Sequence, residues 1–347
     1  MNDILDLLVV GAGPTGIAIG AEARRNGFSV LLVDRGPLTA AIQGYPTFMQ
    51  FFTTRDRLEI ADVPFTIPDD KPTRQQALAY YRFVVQHYQI PTALFEDVEE
   101  IRKDGDLFTV RTVREIGGPR TFRARSVAIA TGYFVNPRHL GVPGEDLPWV
   151  SHRYTEPNPY FGRDVAVIGA GNTAAEAALD LWRSGVRVTL VHRGPHMKPG
   201  VKYWLKPDIE NRIEEGSIPA HFHTTVRAFL PEGGVEVETP SGVQVIPAQA
   251  ALVLIGYQPD AAFERRCGIE VDPETLIPAF DPETCESNVP GLYVAGTLQA
   301  GRWTDRIFIE NSRDHGPKIV AHLKRAGRPH RAAPTDVNLT EARQISS

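Results

Sequence analysis

The chain has 347 residues, of which 42% are hydrophobic and 23% charged, with a formal net charge of −5. Without a basic excess or a Lys/Arg run, no nucleic-acid partner is expected. No apolar run approaches spanning length and no leader pattern opens the chain, so neither membrane insertion nor secretion is expected and the setting reads as cytoplasmic.

In chain order, a short apolar run at residues 5–10 leads into Gly11-Ala12-Gly13-Pro14-Thr15-Gly16 and then a run of small residues, the order strand, tight turn, helix. The first glycine permits the turn, the second lets a pyrophosphate approach the backbone, and the third position lets helix pack on strand. Pro14 falls where a missing N–H does no harm. A second strand at residues 30–33 ends in Asp34, 23 residues beyond Gly11. A carboxylate there accepts hydrogen bonds from an adenosine ribose, which points to FAD.

Thr73 precedes a helix expected over 74–88, and residues 127–130 form a strand closed by Ala130-Thr131-Gly132. The chain then reaches a strand at 165–168 and a second glycine turn, Gly169-Ala170-Gly171-Asn172-Thr173-Ala174. The strand after it, 186–191, ends in His192 and Arg193, with His192 again 23 residues from the first glycine of the turn. A guanidinium at that point pairs with a 2′-phosphate, so this second site reads as NADPH. A helix is expected at 206–215 and strands at 235–238 and 251–255. His221 and His223 share one side of a strand if that segment is extended, but no third ligand stands near and no metal site is expected.

Cys267 and Cys285 lie far apart with no CxxC, so the redox-active cysteine pair common in disulfide reductases is absent. Leu292-Tyr293-Val294-Ala295-Gly296-Thr297 closes a late strand, and a helix is expected over 306–323 with Thr304 as its cap and its positive end aimed at the flavin. The fold class is therefore α/β with two Rossmann-like dinucleotide-binding domains, the second inserted into the first. The FAD domain takes residues 1–134 and 256–326, the NADPH domain 135–255, and 327–347 form a loosely ordered tail.

The stretches between these motifs carry a resemblance. Gly44-Tyr45-Pro46-Thr47-Phe48-Met49-Gln50-Phe51-Phe52-Thr53-Thr54, Val150-Ser151-His152, Pro207-Asp208-Ile209-Glu210 and Ile307-Phe308-Ile309-Glu310-Asn311 with His315-Gly316 resemble the YpdA family of bacillithiol disulfide reductases, itself similar to low-molecular-weight thioredoxin reductases. The resemblance spans nearly all of the chain before the tail. It implies a cytoplasmic FAD enzyme that uses NADPH to return oxidised bacillithiol to the thiol, and a homo-oligomer. The candidate flavin set is Gly11, Gly13, Pro14, Thr15, Gly16, Asp34, Arg35, Gln43, Tyr45, Pro46, Thr47, Ala130, Thr131, Gly132, Gly296, Thr297 and Ile307. The candidate NADPH set is Gly169, Gly171, Asn172, Thr173, Ala174, His192 and Arg193.

Two positions depart from the family pattern. Thr15 stands where the family carries a cysteine proposed to attack the disulfide, and a hydroxyl cannot take part in thiol exchange. Thr297 stands where related reductases place an aspartate against the ribityl chain. No catalytic residue is assigned on this basis, and four acceptor readings stay open. Reduced flavin passes electrons to a small disulfide, to ferredoxin or flavodoxin, or to oxygen as in flavin monooxygenases; alternatively, the chain is a non-catalytic redox sensor.

Overall fold

The computed structural model describes residues 4–327 and divides them into two units. Residues 4–43, 50–133 and 259–327 form the first; residues 44–49 and 134–258 form the second. The expectation for the tail lies, beyond Gly327, outside the described residues.

In the first unit, Leu7, Leu8, Val9 and Val10 are all buried, so this strand has no polar face and must be covered on both sides. It is the centre of a five-stranded parallel sheet in the order Leu292–Val294, Val127–Ile129, Leu7–Val10, Val30–Asp34, Thr92–Leu94. Helix Pro14–Arg25 buries Ile17, Ala18, Ile19, Ala21 and Ala23. Helix Arg74–His87 starts from a capping box, Thr73 accepting from the Gln76 N–H while Gln76 accepts from the Thr73 N–H. A three-stranded antiparallel sheet, Glu96–Asp104, Leu107–Arg114 and Gly118–Ala124, contributes Phe108 and Val110 to the same core as Leu8, Val33 and Ile129.

The helix expected over 306–323 is broken. One turn runs Ile309–Ser312, where the Asn311 side-chain oxygen accepts the Phe308 N–H and Thr304 plays no capping part, and a separate helix runs His315–Arg325. Pro317 is the cause: it has no N–H for the Arg313 carbonyl, and its ring disfavours continuous helix through the preceding turn. A single turn has little macrodipole, so the flavin-directed helix end anticipated there is not supplied by this segment. Instead Gly316 brings the second helix onto the first fingerprint helix, where a Cβ would lie 3.0 Å from the Ala18 carbonyl oxygen.

The second unit repeats the plan with a parallel sheet in the order Ala220–His221, Arg187–Val191, Asp164–Ile168, Ala250–Val253, Val150–Ser151. Helix Asn172–Arg183 packs Ala174, Ala177, Ala178 and Leu181 into its core. An antiparallel sheet, Thr225–Phe229, Val235–Thr239 and Gly242–Ile246, covers the other side through Phe229 and Val237. His223 lies past the end of its strand with φ 51°, so His221 and His223 do not alternate on one face. Among the described residues no helix is long and apolar enough to cross a membrane.

Candidate functional site

The first glycine turn is built by exclusion. Gly11 has φ 109°, and a Cβ there would stand 2.4 Å from the Ala130 carbonyl oxygen; at Gly16 a Cβ would reach 1.9 Å from the Gly11 oxygen. Gly13 is different, since nothing lies within 4 Å of where its Cβ would be. It precedes helix Pro14–Arg25 and no side chain caps that helix start, so the first-turn N–H groups face the space Gly13 leaves. An open backbone concavity at an uncapped helix N-terminus fits a dinucleotide pyrophosphate.

Asp34 ends its strand beside this turn. Its Oδ2 accepts the Ala12 N–H at 2.7 Å and its Oδ1 accepts the Gly36 N–H at 2.8 Å, which leaves each oxygen a further lone pair for a ribose hydroxyl. Burial raises its pKa from the ordinary value, against the two backbone donors and Arg35. Arg35 is exposed.

The later motifs converge on the same turn. Gly132, φ 66°, faces the Thr297 hydroxyl, which a Cβ would approach to 3.5 Å; Gly296, φ 74°, faces Thr15, with 3.0 Å between a built Cβ and Oγ1. Thr15 Oγ1 and Ser312 Oγ are 3.0 Å apart in a hydrogen bond, and the Gly296 N–H donates to His315 Nδ1 at 3.0 Å. His315 is 7% exposed, and burial, helped by nearby Lys318, lowers its pKa to about 4, so the ring is a neutral acceptor. Ser312 was not singled out from the sequence, and His315 entered only through the family resemblance, with no site role; Ser312 lies some 300 positions from Thr15, and only the fold brings the two together.

Other candidates are placed differently. The Gln43 carbonyl accepts from the Arg74 guanidinium, Ile307 is half-buried just before the Ile309–Ser312 turn, and Tyr45, Pro46 and Thr47 belong by their contacts to the second unit. There the Tyr45 ring meets Phe134 edge-on at 4.7 Å and the Thr47 N–H donates to the Thr155 carbonyl at 2.8 Å.

The second glycine turn repeats the first. Gly169 has φ 139° and a Cβ there would stand 2.4 Å from the Leu254 oxygen; Gly171 again has nothing within 4 Å and precedes an uncapped helix. Asn172 is held by loop 200–202, its Oδ1 accepting the Lys202 N–H at 2.8 Å and its Nδ2 donating to the Gly200 carbonyl at 3.3 Å. Thr173 is half-buried and Ala174 fully buried. At the end of the next strand, burial lowers the His192 pKa, and Lys198, Arg193 and His196 push it the same way. Arg193 is exposed and makes no hydrogen bond or ion pair among the described residues. Lys198 was not identified from the sequence; its backbone N–H donates to the Ala170 carbonyl at 3.0 Å, which returns it to the glycine turn.

Neither cysteine offers a reactive thiolate. Cys267 and Cys285 are free and buried; burial raises Cys267 to about 12 and Cys285 above its ordinary value.

Comparison with known proteins follows the same outline. The family described as pyridine nucleotide-disulphide oxidoreductase matches residues 8–296. The bacilliredoxin reductase Bdr of Bacillus subtilis is 37% identical over 317 residues, 91% of this chain and 96% of that protein. The solved bacillithiol disulfide reductase Bdr (YpdA) of Bacillus cereus superposes with a TM-score of 0.90 at 36% identity, covering 93% of this chain and all of the other. That of Staphylococcus aureus gives 0.87 at 35% identity and covers 94% of this chain and 100% of its own.

Proposed function

The chain belongs to the pyridine nucleotide-disulphide oxidoreductase family, whose members work with FAD and NADPH, and from that premise we propose that it is an NADPH-dependent flavoprotein reductase of a low-molecular-weight thiol disulfide, bacillithiol disulfide or a bacilliredoxin mixed disulfide. FAD, when bound, supplies the two-electron chemistry between nicotinamide and disulfide. The protein's own residues bind and orient. The first turn, with Gly13 open and Asp34 at its side, takes the flavin dinucleotide; the second, with Gly171 open and His192, Arg193 and Lys198 at its side, takes NADPH. Arg193 and Lys198 meet the 2′-phosphate. The observation that carries this assignment is the same cradle built twice, with a carboxylate beside one and a cationic group beside the other.

Thr15 sets the chemical limit. Its hydroxyl bonds to Ser312 and cannot form a mixed disulfide, and the two thiols are buried in their protonated form. The acceptor disulfide is therefore reduced without a covalent enzyme–thiol link at the first turn. We further propose, as the resemblance read from the sequence implies, that the enzyme works in the cytoplasm as a homo-oligomer.

Oxidation of NADPH by purified, flavin-loaded protein in the presence of bacillithiol disulfide tests the reading. Turnover that continues after both cysteines are replaced is expected. Turnover with ferredoxin alone, or none with any disulfide, would reject it.

A further inference from the structure

The second unit holds a cluster that neither cradle uses. Where the chain enters this unit, Pro137 pairs antiparallel with Tyr257 and the Arg138 N–H donates to the Gly256 carbonyl at 2.9 Å, which fixes the backbone just ahead of His139. Strand Val150–Ser151, paired with Ala250–Val253, fixes His152. Between them Glu145 is clamped: Oε1 accepts the Leu140 N–H and Oε2 the Gly141 N–H, both at 2.8 Å. Three potential ligands on separate stretches are thus held by backbone, not by one another.

Glu145 Oε1 lies 3.5 Å from His152 Nε2 and 3.6 Å from His139 Nδ1, and the three donor atoms all fall within 4.8 Å. Those gaps are long for hydrogen bonds. They suit ligands that share an ion: three donors each about 2.0–2.1 Å from a tetrahedral zinc stand about 3.4 Å apart. Neither imidazole makes a ring-nitrogen hydrogen bond among the described residues, although His152 is only 15% exposed and its Nδ1 is buried outright. A mostly buried ring with neither nitrogen partnered is costly, and an ion shared with Glu145 supplies a partner for Nε2, the nitrogen that faces the carboxylate. Glu145 Oε1 retains a lone pair for it after the Leu140 bond. His139, 60% exposed, leaves the outer side open to solvent.

We propose that His139, Glu145 and His152 bind one zinc-class divalent ion, with water completing the coordination on the His139 side. Two imidazoles and one carboxylate select zinc, copper or nickel over magnesium and calcium. The ion ties the entry segment, the 140–145 loop and residue 152 together within this unit. His139 and His152 stand 13 positions apart without motif spacing, which is why no metal site was expected from the sequence.

The test is a zinc titration of the tag-free, flavin-loaded full chain after chelator treatment, by calorimetry and thermal melting. One equivalent binds, the melting temperature rises, and magnesium has neither effect. His139→Ala and His152→Asn each weaken zinc binding by at least about tenfold and abolish the melting shift, whereas His87→Ala does not. Glu145 is left intact because it clamps the loop, and unchanged NADPH-dependent reduction of the flavin in His139→Ala shows that the unit carrying the substitution is folded. Absence of a one-equivalent site, an equal response to magnesium, or zinc binding that survives both histidine substitutions would overturn the proposal.

Discussion

The two glycine turns are the same backbone solution carrying different chemistry. At the first position both meet the end of a neighbouring strand, with a hypothetical Cβ 2.4 Å from the Ala130 oxygen in one and 2.4 Å from the Leu254 oxygen in the other. At the second position both open onto free space. They part at the third, where Gly16 cannot carry a Cβ without meeting the Gly11 oxygen at 1.9 Å while Ala174 carries one, and again at the strand end, Asp34 against His192 and Arg193. On the proposed reading, backbone shape holds the phosphates and two or three side chains 23 residues on select the nucleotide.

The sharpest way to break the likeness is at the third position. Gly16→Ala forces a Cβ into backbone and should yield protein that retains no flavin, measured by its visible absorbance after gel filtration. Asp34→Ala comes next. It strips two backbone N–H groups of their acceptor as well as the proposed ribose contact, at about 1–3 kcal/mol for each unsatisfied group, so FAD affinity should fall at least about tenfold.

His315 probes the residues that only the first cradle possesses. A neutral acceptor lowered from 6.5 to about 4 binds its proton more weakly in the folded than in the unfolded chain. Its contribution is therefore fully present above about pH 6.5 and is lost as pH falls towards 4, at about 1.4 kcal/mol per unit within that window. Urea midpoints of His315→Asn should drop less steeply between pH 6.5 and pH 5 than those of the parent chain; parallel slopes would refute the assignment. The smallest effect is expected at Ala174→Gly, which adds no clash and should cost about 1 kcal/mol through helix propensity and lost packing.

Much of this was legible in the sequence because it is local. A glycine turn between an apolar strand and a small-residue helix declares itself within about 30 residues, and the fold class followed from seeing it twice. Lys198 was not legible: it lies six positions past His192 and returns to the turn only through its bond to Ala170. Ser312 was hidden by distance, since the fold brings residue 312 to residue 15, and His315, though part of the family-resembling stretch, carried no signal of its bond to the Gly296 N–H. The helix break at Pro317 was readable in principle but was masked by apolar periodicity running through it. Residues 44–49 carry no periodicity that would assign them to the second unit.

The account rests on the second cradle being built for a 2′-phosphate, and the direct measurement is kcat/KM for NADPH and for NADH in Arg193→Ala/Lys198→Ala. Loss of charge-assisted contacts worth about 1.5–3 kcal/mol should lower the NADPH value by roughly tenfold to a hundredfold, leave the NADH value nearly unchanged, and leave bound flavin intact. Equal losses with both nucleotides, or loss of the flavin itself, would contradict it.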